Sequence, residues 1–75
     1  MYTTQAIKKM MQESGTTATQ LSLGLGKHRN FVTTTFAKGS TPRADTLAHM
    51  ADVMGYDLVL RKRGGGGDFL IAPEP

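Results

Sequence analysis

The chain has 75 residues, a net charge of +3 and no cysteine. That length allows one domain, and a domain so small buries only about 60% of the surface its unfolded chain exposes. Without cysteine, neither a disulfide nor a thiolate metal site reinforces so thin a core.

A second copy of the chain is the remaining common way to enlarge the core, so a homodimer is expected. No apolar run approaches the ~20 residues of a membrane span, and the start lacks the charged and apolar pattern of a secretion signal. No membrane association is expected, and the cytoplasm is the expected compartment. Met1 and Pro75 are the ends expected of a complete small gene product.

The elements follow in chain order. Thr4 to Ser14 reads as a helix, with Thr3 or Thr4 as cap and Gly15 as stop. Ile7, Met10, Met11 and Ser14 recur at spacings of three and four, which gives one apolar face. Thr17 to Leu25 reads as a second helix, with Thr17 and Gln20 set as a capping box. Gly24 inside it costs roughly 1 kcal/mol against alanine. A third helix is expected from His28 or Arg29 to Ala37, with Phe31, Val32, Thr35 and Phe36 inward. Its three consecutive threonines are poor helix formers, so Phe31 to Phe36 taken alone also fits a strand. Lys38 to Thr41 is a loop, and Thr41-Pro42 is expected to open a fourth helix with the stripe Leu47, Met50, Ala51 and Met54. Residues Asp57 to Arg61 and Phe69 to Ala72 look like strands around the run Gly64 to Gly67, which is either a hairpin loop or a flexible link. Pro73 to Pro75 is expected to fray.

Between Glu13 and Asp45 lie 31 residues without a single acid, and they include Lys27, Arg29, Lys38 and Arg43. A phosphate-facing surface needs such a stretch, because carboxylates there would repel the backbone of a nucleic acid. An ordinary solvated face has the same charge pattern. Within this stretch Ser22 is followed four residues later by Gly26, and six beyond that by Val32. This is the spacing of a helix-turn-helix: a small residue lets two helices approach, glycine takes the left-handed turn, and an aliphatic packs the second helix on the first.

From Ile7 to Gly55 the chain resembles the phage-repressor family of helix-turn-helix proteins (lambda-repressor-like, Cro-like, XRE). The resemblance rests on Ile7, Met10, Gly15, Thr17, Leu21, Ser22, Leu25, Gly26, Arg29, Val32, Phe36, Pro42, Thr46, Leu47, Ala51 and Gly55. Thr16, Lys27, Thr35, Gly39 and Arg43 depart from the family pattern. The resemblance implies a mainly α fold, a bundle of about four helices over residues 1–56. A C-terminal β-hairpin or strand pair over 57–75 is a candidate dimerisation element.

It also implies that the recognition helix reads bases through Arg29, Asn30, Thr33 and Thr34. Arginine suits guanine, asparagine suits adenine, and threonine offers a hydroxyl or a methyl. Thr17, Thr19, Lys27, His28, Lys38, Ser40, Thr41 and Arg43 are the expected phosphate contacts, which set register without reading sequence. Solvent or phosphate contact is the plainer reading of Arg29, and capping that of Asn30. Leu58, Leu60, Phe69 and Ile71 are the candidate dimerisation residues, through strand pairing across a two-fold axis or, as the plainer alternative, within one hairpin. Arg61-Lys62-Arg63 either touches flanking DNA or forms a solvated basic turn.

His28 and His49 have no cysteine or clustered carboxylates around them in sequence, so no metal is expected. No nucleophile elbow or phosphate loop is present, so neither an enzyme nor a cofactor is expected. The expected function is a transcriptional repressor that binds double-stranded DNA as a homodimer on a near-palindromic operator. The alternatives are an antitoxin that binds a toxin and represses its operon, and a phage-encoded protein-interaction module on the same fold.

Overall fold

A computed structural model describes residues 1–73. The chain runs through four helices and two strands: α1 (Thr3–Ser14), α2 (Ala18–Gly24), α3 (Phe31–Ala37), α4 (Ala44–Val53), β1 (Leu58–Arg61) and β2 (Asp68–Ile71). The helix count and the paired C-terminal strands agree with the expectation from sequence.

The core is contributed by every helix. Ile7 of α1, Leu21 of α2, Val32 of α3 and Met50 of α4 are fully buried, with Leu25 and Met54 beside them. Met10, Met11, Phe31, Phe36, Leu47 and Tyr56 pack around that centre and remain partly exposed. The apolar spacing of each helix is what turns these residues inward.

The helix starts differ from expectation in three places. Helix α1 begins at Thr3 and is capped by Tyr2, whose N–H donates to Gln5 Oε1 at 3.0 Å; neither Thr3 nor Thr4 caps it. Helix α3 begins at Phe31, after Arg29, because the Phe31 N–H first closes a turn onto the His28 carbonyl at 2.9 Å. Helix α4 begins at Ala44 with Arg43 as cap residue, and the Leu47 N–H bonds the Arg43 carbonyl at 2.8 Å. Thr41-Pro42 therefore lies in the preceding loop and does not open the helix.

The capping box at α2 is as the sequence indicates. Thr17 Oγ1 accepts from the Gln20 N–H at 3.1 Å, and Gln20 Oε1 accepts from the Thr17 N–H at 2.9 Å. All four helices close with the same paired backbone bonds, the clearest being Lys27 N–H to the Ser22 carbonyl and Gly26 N–H to the Leu23 carbonyl. In each case a glycine with positive φ makes the reversal: Gly15, Gly26, Gly39 and Gly55.

Gly24 has a steric reason. A Cβ there would come within 2.9 Å of Val53 Cγ1, so the glycine lets α2 approach α4. The threonine-rich α3 is helical because Val32 is buried and Phe31 and Phe36 pack on the core. Thr35 spends its hydroxyl on the Phe31 carbonyl at 2.9 Å, which satisfies it inside the half-buried face.

Strands β1 and β2 form one antiparallel hairpin, pairing Leu58 with Ile71, Val59 with Leu70, Leu60 with Phe69 and Arg61 with Asp68. Of the two expected arrangements, pairing within the chain is therefore present, and Gly64 to Gly67 is its loop, all four residues at positive φ. Leu58 and Ile71 are half-buried at the hairpin's base, where β1 meets α4. Fraying was expected from Pro73 onward, yet Pro73 is half-buried in a cleft shared with Leu25, Lys27 and His49. Glu74 and Pro75 lie outside the described residues.

Candidate nucleic-acid interface

The α2–turn–α3 unit is fastened at its centre by one buried hydroxyl. Ser22 is fully buried. Its Oγ donates to the Ala18 carbonyl at 2.7 Å and accepts from the Val32 N–H at 3.0 Å. One side chain thus satisfies the first turn of α3 and ties it to α2, in addition to leaving room for close packing. Sequence spacing pointed to Ser22 as a small residue. The cross-helix bond was not foreseen; a hydroxyl at a position where the spacing asks only for a small residue is its one available signal.

With Val32 pinned inward, helical geometry turns Thr33, Thr34 and Ala37 outward on the other side of α3. Asn30 continues that outward row by one turn at the start. Thr33 and Thr34 are exposed. Arg29 and Asn30 are also exposed, but they stand in the turn ahead of α3 and not in its first turn, a correction that follows from the later helix start. The Asn30 side chain makes no capping bond; its backbone N–H donates to His28 Nδ1 at 3.2 Å.

The candidate phosphate contacts are likewise all exposed: Thr17, Thr19, Lys27, His28, Lys38, Ser40, Thr41 and Arg43. They come from the start of α2, the α2–α3 turn and the loop between α3 and α4. Two of the cations are held in place. The Lys27 ammonium lies 5.7 Å from the centre of the Phe31 ring, and Arg43 pairs with Asp45 at 3.4 Å. Lys8 of α1 sits 5.2 Å from the Phe36 ring centre, a cation that sequence reading did not place beside α3. Cation–π contacts at exposed sites are worth about 0.5–1 kcal/mol each.

Away from this surface, the Tyr56 hydroxyl donates to a Glu13 carboxylate oxygen at 3.0 Å and joins the end of α1 to the segment after α4. That hydrogen bond, with smaller contributions from desolvation and the charge of Glu13, holds the Tyr56 pKa above its ordinary 10.0. Among the described residues no group of three His, Asp or Glu side chains is placed to hold a metal ion, and no helix is long and apolar enough to cross a membrane. No family model, curated protein or solved structure matches the chain.

Proposed function

We propose that α2, its turn and α3 form a helix-turn-helix of the phage-repressor type, and that the chain is a sequence-specific regulator of transcription on double-stranded DNA. The supporting observation is the surface this unit presents. Buried Ser22 and Val32 fix its orientation, and Arg29, Asn30, Thr33 and Thr34 face outward from a segment without acids. In this reading Arg29 and Asn30 enter the major groove from the turn, while Thr33 and Thr34 follow along α3. Lys27, His28, Lys38, Ser40, Thr41 and Arg43 grip phosphates on either side, with Thr17 and Thr19 at the start of α2. Two copies bound to a near-palindrome would set their recognition helices about 34 Å apart, one turn of the duplex. Blocking of polymerase at the operator is the simplest route to repression.

Selection from a random pool of duplex DNA at two salt concentrations tests this. The expected result is a palindromic motif whose binding weakens by about 1–3 kcal/mol on Arg29→Ala, with specificity relaxed at one base of each half-site. Binding that yields no motif and disappears at the higher salt would reduce the interaction to phosphate attraction and overturn the proposal.

A further inference from the structure

Two lysines are held over aromatic rings at opposite edges of α3. The Lys8 ammonium stands 5.2 Å from the centre of the Phe36 ring, and the Lys27 ammonium 5.7 Å from that of Phe31. An α-helix turns about 100° per residue. With buried Val32 inward, Phe36 lies about 40° to one side of it and Phe31 about 100° to the other. Thr33 and Ala37 follow on the Phe36 side, and Thr34 on the Phe31 side. Each ring therefore borders one edge of the outward face, about 60° from Thr33 or from Thr34. Lys8 reaches the Thr33 edge from α1, near the end of α3. Lys27 reaches the Thr34 edge from the turn, near its start.

Both rings are half-buried and pack on the core, so each is a fixed support under a flexible cation. Both lysines are exposed. Among the described residues neither is paired with a carboxylate, whereas Arg43 and Arg61 are paired with Asp45 and Asp68. Glu13, the one acid of α1, accepts from the Tyr56 hydroxyl. A ring covers one side of an ammonium, and its three N–H donors are enough to serve an anion on the other side.

The major groove of DNA is about 12 Å wide, and a helix with its side chains is about 10–12 Å across. A helix lying in the groove therefore has one sugar–phosphate strand along each edge. We infer that Lys8 is a phosphate-binding residue, and that Lys8 and Lys27 of one chain bind phosphates on opposite strands of the groove that α3 enters. The inference rests on the DNA reading proposed above and adds α1 to the contact surface. Lys8 precedes Glu13, outside the acid-free stretch, and only the fold brings it beside α3. A cation on each edge centres the helix between the strands, which fixes how Thr33 and Thr34 meet the bases without itself reading sequence. Lys9 supplies the contrast. It is also exposed, but it lies about 100° further round α1, one turn from Glu13, and no ring supports it among the described residues.

The test uses the duplex motif recovered from the random pool, with binding measured across a range of salt. Each phosphate contact adds about 0.9 to the slope of log K against log salt. Lys8→Gln is expected to make that slope shallower by about 0.9 per bound chain, with the preferred bases unchanged and the helical circular dichroism retained. Lys8→Arg should keep the slope, because a guanidinium also stacks on a ring. Lys9→Gln removes the same charge and should change the slope clearly less. Duplexes carrying single uncharged methylphosphonates then locate the contacts. Lys8→Gln should lose sensitivity to a substitution on one strand, and Lys27→Gln to a substitution on the other. A chain that selects no motif overturns the DNA reading and this inference with it. A chain that selects a motif, but whose slope responds no more to Lys8→Gln than to Lys9→Gln, overturns this inference alone, as does mapping of both lysines to the same strand.

Discussion

The helical body and the hairpin are held together by opposite means. In the body, apolar residues converge from four helices until Ile7, Leu21, Val32 and Met50 are fully buried. In the hairpin, residues just as apolar face outward, and the structure rests on cross-strand pairs, one exposed ion pair and a glycine loop. The body thus carries the stability of the chain, and the hairpin offers surface. Apolar content alone does not distinguish the two roles; what does is whether a second element stands opposite.

Substitutions should divide along this line. The largest effect is expected for Leu21→Ala, which opens a cavity where α2 meets the core and should cost about 2–5 kcal/mol in denaturant unfolding. Ser22→Ala should follow, at about 1–3 kcal/mol, because it strands the buried Val32 N–H. Hydrogen exchange at Val32 should accelerate in that variant more than at other core amides. Phe69→Ser should change the unfolding free energy of dilute protein by no more than about 0.5 kcal/mol, as a surface substitution does. A loss comparable to Leu21→Ala would mean that the hairpin belongs to the core after all.

The smallest effect concerns the Tyr56–Glu13 contact. Its raised pKa means that the folded chain binds the phenolic proton more tightly than the unfolded one. The contribution is present below the unfolded value of about 10 and is lost as pH rises through the folded value. Tyr56→Phe should therefore lower stability slightly at neutral pH and abolish the alkaline loss, so that the two proteins converge as pH rises through the folded value. The check is thermal melting of both proteins from neutral pH to above pH ~10.

Much of this architecture was legible because periodicity and glycine placement are local signals. The stripe Ile7, Met10, Met11 and the stops at Gly15, Gly26 and Gly55 marked the helices, and the turn-rich interval after Arg61 marked the hairpin. Helix starts were harder to read. Tyr2 and Arg43 cap through their backbones, and the Phe31 N–H is taken by His28, and none of this is written in residue type. The outward row Asn30, Thr33 and Thr34 could be read once Val32 was taken as inward. Ser22 as a bridge, Gly24 as a seat for Val53, and Lys8 over Phe36 are contacts between residues remote in sequence. Residue types read along one chain give no sign of such pairs.

The helix-closing glycines have one more consequence, and it concerns handedness. At Gly15 and Gly55 the φ angles are +68° and +83°, and a Cβ added with ordinary chirality would meet nothing within 4 Å. Space is therefore free there, and only the torsion of an L-residue stands in the way. A mirror-image residue prefers that torsion. In a chemically synthesised chain, D-alanine at Gly15 and Gly55 matches the native torsion while restricting the unfolded backbone, so it is expected to stabilise the fold by about 0.4–1 kcal/mol at each site. L-alanine at the same two positions would act in the opposite direction, so chirality alone sets the sign.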